Sequence, residues 1–265
     1  MPSSSALRKQ IESDFQHRYP SVLTPGSRTI REVAATGIAE IDALLNGGLP
    51  VGAISEITGP ASSGRTSIAL AFLSASTQDE NVCAWIDASD TLDPQSAAAN
   101  GISLKHLLWV RCRNTPIEKP SPAVRNTLQD KKQQPWTRLD QAIRATDQIL
   151  QAGGFAAIVL DLADEAIEHC RRIPLATWFR FRQAADRTRC SLVVLGKAAY
   201  AQSSAAVVLE CRLNRMDDAS GTVIRGFRYN ASRGRERFSP LTTINRKPPA
   251  ASWSTQAPWN REKRA

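Results

Sequence analysis

The chain has 265 residues, 42% hydrophobic and 22% charged, a globular composition with length for one ordinary domain or one domain plus an appendage. No apolar run exceeds the length of Phe155 to Leu160, too short to cross a bilayer, and five scattered cysteines form neither a CxxC pair nor a zinc-ligand pattern. The net charge of +9 is concentrated late, with 12 Lys and Arg against 5 Asp and Glu in residues 201–265, so a polyanionic partner, nucleic acid foremost, is expected.

Ser3–Ser5 precede Leu7, Ile11 and Phe15 at helical spacing, which predicts a short amphipathic N-terminal helix. The same stretch is polar and lacks an apolar signal region, so a cytoplasmic location is expected. Tyr19-Pro20 and Pro25-Gly26 mark a linker. From Thr36, Ile38, Ile41, Leu44 and Leu45 form one helical face that stops at Asn46-Gly47-Gly48. Strands are predicted at 54–58, 82–87, 107–111, 156–161 and 191–195, with helices at 64–77, 94–100, 137–152 and 174–188. Apolar strands separated by helices indicate a parallel sheet covered on both faces. Thr137 with Asp140 forms an N-cap pair for the 137–152 helix, and Gly153 ends it. Segment 113–136, with four prolines, reads as a mobile insertion. Strands at 206–212 and 223–230 suggest an antiparallel extension, and residues 247–265 read as a basic disordered tail. The expected division is 1–35 as helix and linker, 36–246 as core, and 247–265 as tail.

One segment carries recognisable chemistry. Gly59-Pro60-Ala61-Ser62-Ser63-Gly64-Arg65-Thr66, followed by Ser67, leaves a strand and opens a helix, with the spacing of a P-loop except that Arg65 stands where lysine is usual. Glycines let successive N–H groups curl around phosphate oxygens, and the helix start adds its dipole. Thr66 would place its hydroxyl on Mg²⁺, and a cation at 65 would reach the β/γ-phosphates. Arginine supplies the charge, but as a wide planar fork rather than a compact ammonium. About 100 residues on, Ala156 to Leu160 form an apolar strand ending in Asp161, placed to hold a magnesium-bound water; a carboxylate capping the next turn is the alternative.

Ala35-Thr36-Gly37, Ile41-Asp42, Gly47-Gly48-Leu49-Pro50, Gly52 and Glu56-Ile57 run directly into this loop. Ala84-Trp85-Ile86-Asp87-Ala88, Leu92-Asp93-Pro94, Gly101 to Leu108 and Ala142 to Asp161 follow in order. Over about residues 5–110 and 138–235 this series resembles the bacterial RecA recombinases, and Gln10-Ile11-Glu12 with Phe15 is similar to the helix through which their protomers polymerise. The resemblance implies an α/β fold: a RecA-like P-loop core with a mostly parallel sheet covered by helices on both faces, a short N-terminal helix and an antiparallel C-terminal extension. It also implies ATP and Mg²⁺ bound between adjacent protomers.

Departures from that pattern bear on catalysis. The resemblance places the glutamate that orients the attacking water at Ser89, with Asp90 adjacent as a candidate substitute. The glutamine that senses the γ-phosphate falls near Lys197, and the second DNA-binding loop shrinks to about Ala198–Ser204. A kept core with eroded catalysis also resembles the shorter RecA-like accessory proteins of damage-induced translesion synthesis.

Arg171, Arg172, Arg180, Arg182, Arg187 and Arg189 stand against one acid, Asp186, and interleave with Trp178, Phe179 and Phe181. That mixture suits single strands, since arginine neutralises phosphate while aromatic faces stack on bases; a core helix with solvated arginines is the alternative. Arg233 and Arg235 lie where the resemblance places lysines that reach a neighbour's ATP site, although an exposed basic hairpin fits equally. The expected function is an ATP- and single-stranded-DNA-binding protein of repair and recombination in the SOS response, an accessory with weak or no ATPase. It would self-associate or join a RecA filament, with translesion polymerase components as further partners. The alternatives are a divergent recombinase with active DNA-dependent ATPase, and an interaction protein that docks on RecA without nucleotide.

Overall fold

A computed structural model describes residues 32–113, 137–219, 223–236 and 249–256. All belong to one compact unit, Glu32–Arg237 with Ile244–Ala265; the other unit, Met1–Arg31 with Phe238–Thr243, lies outside the described residues. The expected N-terminal helix and residues 114–136 of the expected insertion therefore fall outside as well.

In chain order, β1 (Val33–Ala34), α1 (Ala39–Leu44) and β2 (Leu49–Pro50) lead into β3 (Ile54–Thr58) and α2 (Arg65–Gln78). Next come β4 (Cys83–Asp87), α3 (Pro94–Ala99), β5 (Leu107–Arg111), α4 (Arg138–Ala152) and β6 (Ala157–Asp161). Then follow α5 (Ile167–Cys170), α6 (Leu175–Thr188), β7 (Ser191–Gly196), β8 (Ala205–Ala219), β9 (Val223–Glu236) and β10 (Ala250–Gln256). Eight strands form one sheet in the order β10-β9-β8-β3-β7-β6-β4-β5. The pairings from β8 to β5 are parallel, whereas β8–β9 and β9–β10 are antiparallel. The expected mostly parallel α/β sheet with an antiparallel extension is thus observed.

The strand period of two sorts the core onto both faces of this sheet. Trp85, Val159, Val193 and Leu195 pack on one side with Ile68, Phe72 and Leu73 of α2. Ala84, Ile86, Ile158, Leu160, Leu192 and Val194 pack on the other with Leu150 of α4 and Trp178 and Phe181 of α6. Burial on both faces explains why these strands are apolar throughout. The Thr137–Asp140 pair forms the expected capping box: Thr137 Oγ1 accepts from Asp140 N at 3.1 Å, and Thr137 N donates to Asp140 Oδ2 at 3.2 Å.

The C-terminal part departs from expectation. The β8–β9 hairpin is longer than 206–212 and 223–230, and residues 250–256, expected within the disordered tail, form β10 against β9. The reason is Trp253, which is buried and stacked on Tyr229 with ring centroids 5.2 Å apart. Burying roughly 200 Å² of indole at about 25 cal/mol per Å² contributes about 5 kcal/mol, which helps to offset the entropy of ordering a short Ala/Ser/Thr strand. Among the described residues no helix is long and apolar enough to cross a membrane. All five cysteines are buried and unbridged.

Candidate functional site

The carboxyl ends of β3, β7, β6 and β4 line one edge of the parallel sheet, where open α/β sheets hold their ligands. β3 leaves the sheet at Thr58 and turns through Gly59–Gly64 into α2, with left-handed φ at Ser62 (+58°) and Gly64 (+86°). Gly64 is the N-cap residue of α2; it provides no side-chain cap, and the first turn contains no acid. The N–H groups of that turn have no intrahelical acceptors and suit an anion. Ser63 Oγ is buried without a hydrogen-bond partner. Pro60, Ala61, Ser62 and Thr66 are exposed, and Ser67 is half-buried.

Two glycines here are required by packing. A Cβ on Gly59 would stand 2.4 Å from the Cys211 carbonyl oxygen of β8. One on Gly64 would stand 2.9 Å from ring atoms of both Tyr229 and Trp253. The antiparallel extension therefore supports the loop from behind, a role that sequence reasoning missed. The signal available was Trp253, a large aromatic amid the small Ala, Ser and Thr residues of 250–255.

Arg65 is buried rather than projecting towards the exposed side of the loop. Its Nη1 donates to the Gly59 carbonyl and, at 3.5 Å, to that of Gly196, while Nη2 donates to Ala163 O at 3.3 Å. One guanidinium thus joins the ends of β3, β7 and β6. The expectation that residue 65 reaches the β/γ-phosphates is corrected here: the fork spans three carbonyls, and its charge remains beneath the loop.

Asp161 ends β6 beside Asp87 of β4, its register partner. Its Oδ1 accepts from Ala163 N at 2.9 Å, so the turn-capping reading holds for this oxygen. Burial pushes the carboxyl up to about 6; Asp87 and Asp164 add to the rise, while the Ala163 N–H and Arg65 oppose it. A carboxylate short of compensating charge fits a divalent cation, and Ser63 Oγ and the helix-start N–H groups fit an anionic group. No group of three His, Cys, Asp or Glu side chains that could hold a metal occurs among the described residues, so a cation at Asp161 would draw its other ligands from Thr66, phosphate and water.

The raised value has a measurable consequence. An unfolded aspartate titrates near 3.8, so the folded chain binds the proton more tightly, and stability falls as pH rises from about 4 to about 6. A shift of this size corresponds to roughly 3 kcal/mol at most. Asp161→Asn, uncharged at every pH, is expected to raise Tm by several degrees at pH 7.5 in EDTA and to leave it nearly unchanged at pH 4. Equal Tm values at both pH values would remove the buried charge.

Asp87 is fully buried and accepts from Thr91 N, Leu92 N and Trp109 Nε1, at 3.1, 2.8 and 3.3 Å. Asp90, the candidate substitute base, is held by Arg111 through two bonds of 2.5 and 2.8 Å. The guanidinium keeps its carboxyl below the usual range, which makes Asp90 a poor proton acceptor and corrects that candidacy. Lys197 Nζ donates to the carbonyls of Asp164 and Glu165 at 3.3 and 3.2 Å. Ser89 Oγ donates to Glu165 Oε1 at 3.4 Å, a carboxylate that sequence reasoning did not single out.

The described nucleic-acid candidates each have a local partner. Arg180 pairs with Asp147 at 2.8 Å, and Arg182 lies over the exposed Phe179 ring, 4.9 Å from its centroid. Trp178 is fully buried in the core. Arg233 is half-buried and donates to Leu44 O of α1 at 3.0 Å; the Arg235 side chain lies outside the described residues.

Comparison with known proteins supports the resemblance. A family model for the RecA N-terminal domain matches residues 4–115. Protein RecA of Synechocystis is 36% identical over 128 residues, covering 48% of this chain and 36% of its own length. Protein RecA of Allorhizobium ampelinum is 33% identical over 158 residues, 59% of this chain and 37% of its own. The chain thus spans little more than a third of these relatives. A crystal structure of the RadB recombinase superposes with a TM-score of 0.54 at 16% identity, over 83% of this chain and 94% of that one, a likeness of fold.

Proposed function

We propose that this RecA-like chain is a Mg-ATP- and single-stranded-DNA-binding protein of DNA repair and recombination, an accessory of the SOS damage response with slow turnover. One juxtaposition carries the reading: an uncapped helix start behind a left-handed Ser62–Gly64 turn, on the sheet edge that also presents Asp161. In this reading the loop backbone over Gly59–Ser67 cradles the phosphates without the Arg65 guanidinium, while Thr66 and Asp161 hold Mg²⁺. Turnover is slow because Arg65 is engaged by three carbonyls, Ser89 is no base and Asp90 is paired with Arg111. Self-association, a RecA filament and translesion polymerase components are the proposed protein partners, in the cytoplasm.

The engagement of Arg65 favours a second reading, an interaction protein that has lost nucleotide. Calorimetry separates the two. The first expects Mg-ATP binding with Kd on the order of micromolar, as at ordinary nucleotide sites, and heat-free titrations would establish the second.

Single-strand binding is expected to weaken steeply with salt, as phosphate contacts release counterions. Arg182→Ala should lower the log–log slope by about 0.7 in oligonucleotide anisotropy, to a similar degree for every base sequence. An unchanged slope removes Arg182 from the footprint.

A further inference from the structure

Hydrolysis of a phosphoanhydride needs a carboxylate or an equivalent group to hold the attacking water in line. At the carboxyl ends of β4 and β6, Asp87 is saturated by three donors and Asp90 is closed by Arg111. The turn after Asp161 brings in another acid. It is tied at Ala163 O by Arg65 and at Asp164 O and Glu165 O by Lys197, and Glu165 N donates to Leu162 O at 3.2 Å. Held from both sides, the turn sets Glu165 against Ser89 at 3.4 Å, with Arg138 Nε at 4.0 Å and the carboxyl side chain only 11% exposed.

We infer that Glu165, oriented by Ser89 and Arg138, positions the attacking water for the residual turnover of this chain; the inference rests on the Mg-ATP reading above. Glu165 accepts a hydrogen bond from the water and takes its proton. The water oxygen bonds to the γ-phosphorus as the bond to the β,γ-bridging oxygen breaks. ADP leaves with that electron pair, and the proton passes from Glu165 to solvent. Ser89 and Arg138 both engage Oε1, which leaves Oε2 to accept from the water.

The test uses the full chain and two binding probes beside turnover. Glu165→Gln is expected to leave Kd for Mg²⁺ with a non-hydrolysable ATP analogue within about twofold, since it removes no phosphate contact. It should lower single-turnover hydrolysis at least about a hundredfold and weaken binding of Mg-ADP with aluminium fluoride about tenfold or more. Ser89→Ala, a small change at a half-buried site, should lower turnover in the same direction without altering analogue affinity. Turnover and aluminium-fluoride affinity unchanged in Glu165→Gln would overturn the inference while leaving the nucleotide site intact. A parent protein that binds the analogue but hydrolyses nothing would also overturn it. Failure of the parent to bind any nucleotide would instead overturn the Mg-ATP reading, and this step with it.

Discussion

Trp253→Ala is expected to lower the free energy of unfolding by about 3–5 kcal/mol, the range for truncating a large buried aromatic. Its ring is buried, stacks on Tyr229 and stands at the spot where any side chain on Gly64 would project. Urea unfolding should show a lower midpoint with little change of slope. Gly64→Ala should be costly for two reasons, a left-handed φ of +86°, worth about 1–2 kcal/mol for an L-residue, and the approach of 2.9 Å to both rings. In the Trp253→Ala background half of that steric conflict disappears. The two changes should therefore be non-additive by about 0.5–3 kcal/mol, as for residues in contact. Additivity would show that the loop does not lean on β10.

Asp161→Ala is expected to remove at least about a hundredfold of the magnesium-dependent part of nucleotide affinity, because a cation's attraction to a buried carboxylate is worth several kcal/mol. Binding in EDTA, which relies on the 59–66 N–H groups, should change little. Calorimetry with and without Mg²⁺ reads both quantities from the same samples. An undiminished magnesium effect in Asp161→Ala would mean that the cation is held elsewhere, and Thr66 would lose its assigned role too. Because burial already pushes Asp161 up to about 6, magnesium dependence should also fade in the parent protein below about pH 6, as protons compete for the same oxygens.

Much of the sheet was readable from period and punctuation. Ile158 and Leu160 face one side while Val159 faces the other, and each reads as a buried strand because both sides are covered. Thr137 and Asp140 cap α4 as their spacing requires, since the partners are three residues apart and need no distant help. β10 escaped notice because Ala-Ser-Trp-Ser-Thr has weak strand character of its own; its order depends on Tyr229 as a packing partner.

The candidate site divides along the same line. The Gly59–Thr66 turn, the helix it opens and the carboxylate at the end of β6 follow from the sequence by itself, because each is a short-range pattern of glycines, apolar runs and strand ends. What Arg65, Asp90 and Glu165 do with their charges was decided only by tertiary structure. Arg65 meets Ala163 and Gly196, 98 and 131 residues away; Asp90 meets Arg111 across 21, and Ser89 meets Glu165 across 76. An ionised side chain takes whichever partner the fold brings within about 3–4 Å, since Coulomb attraction and hydrogen bonding are decided at contact distance, whereas sequence spacing reports contact only within a turn, a helix face or a strand. A residue's type thus announced a charge near the sheet edge, and the juxtaposition of four parallel strand ends determined which charges are neutralised there.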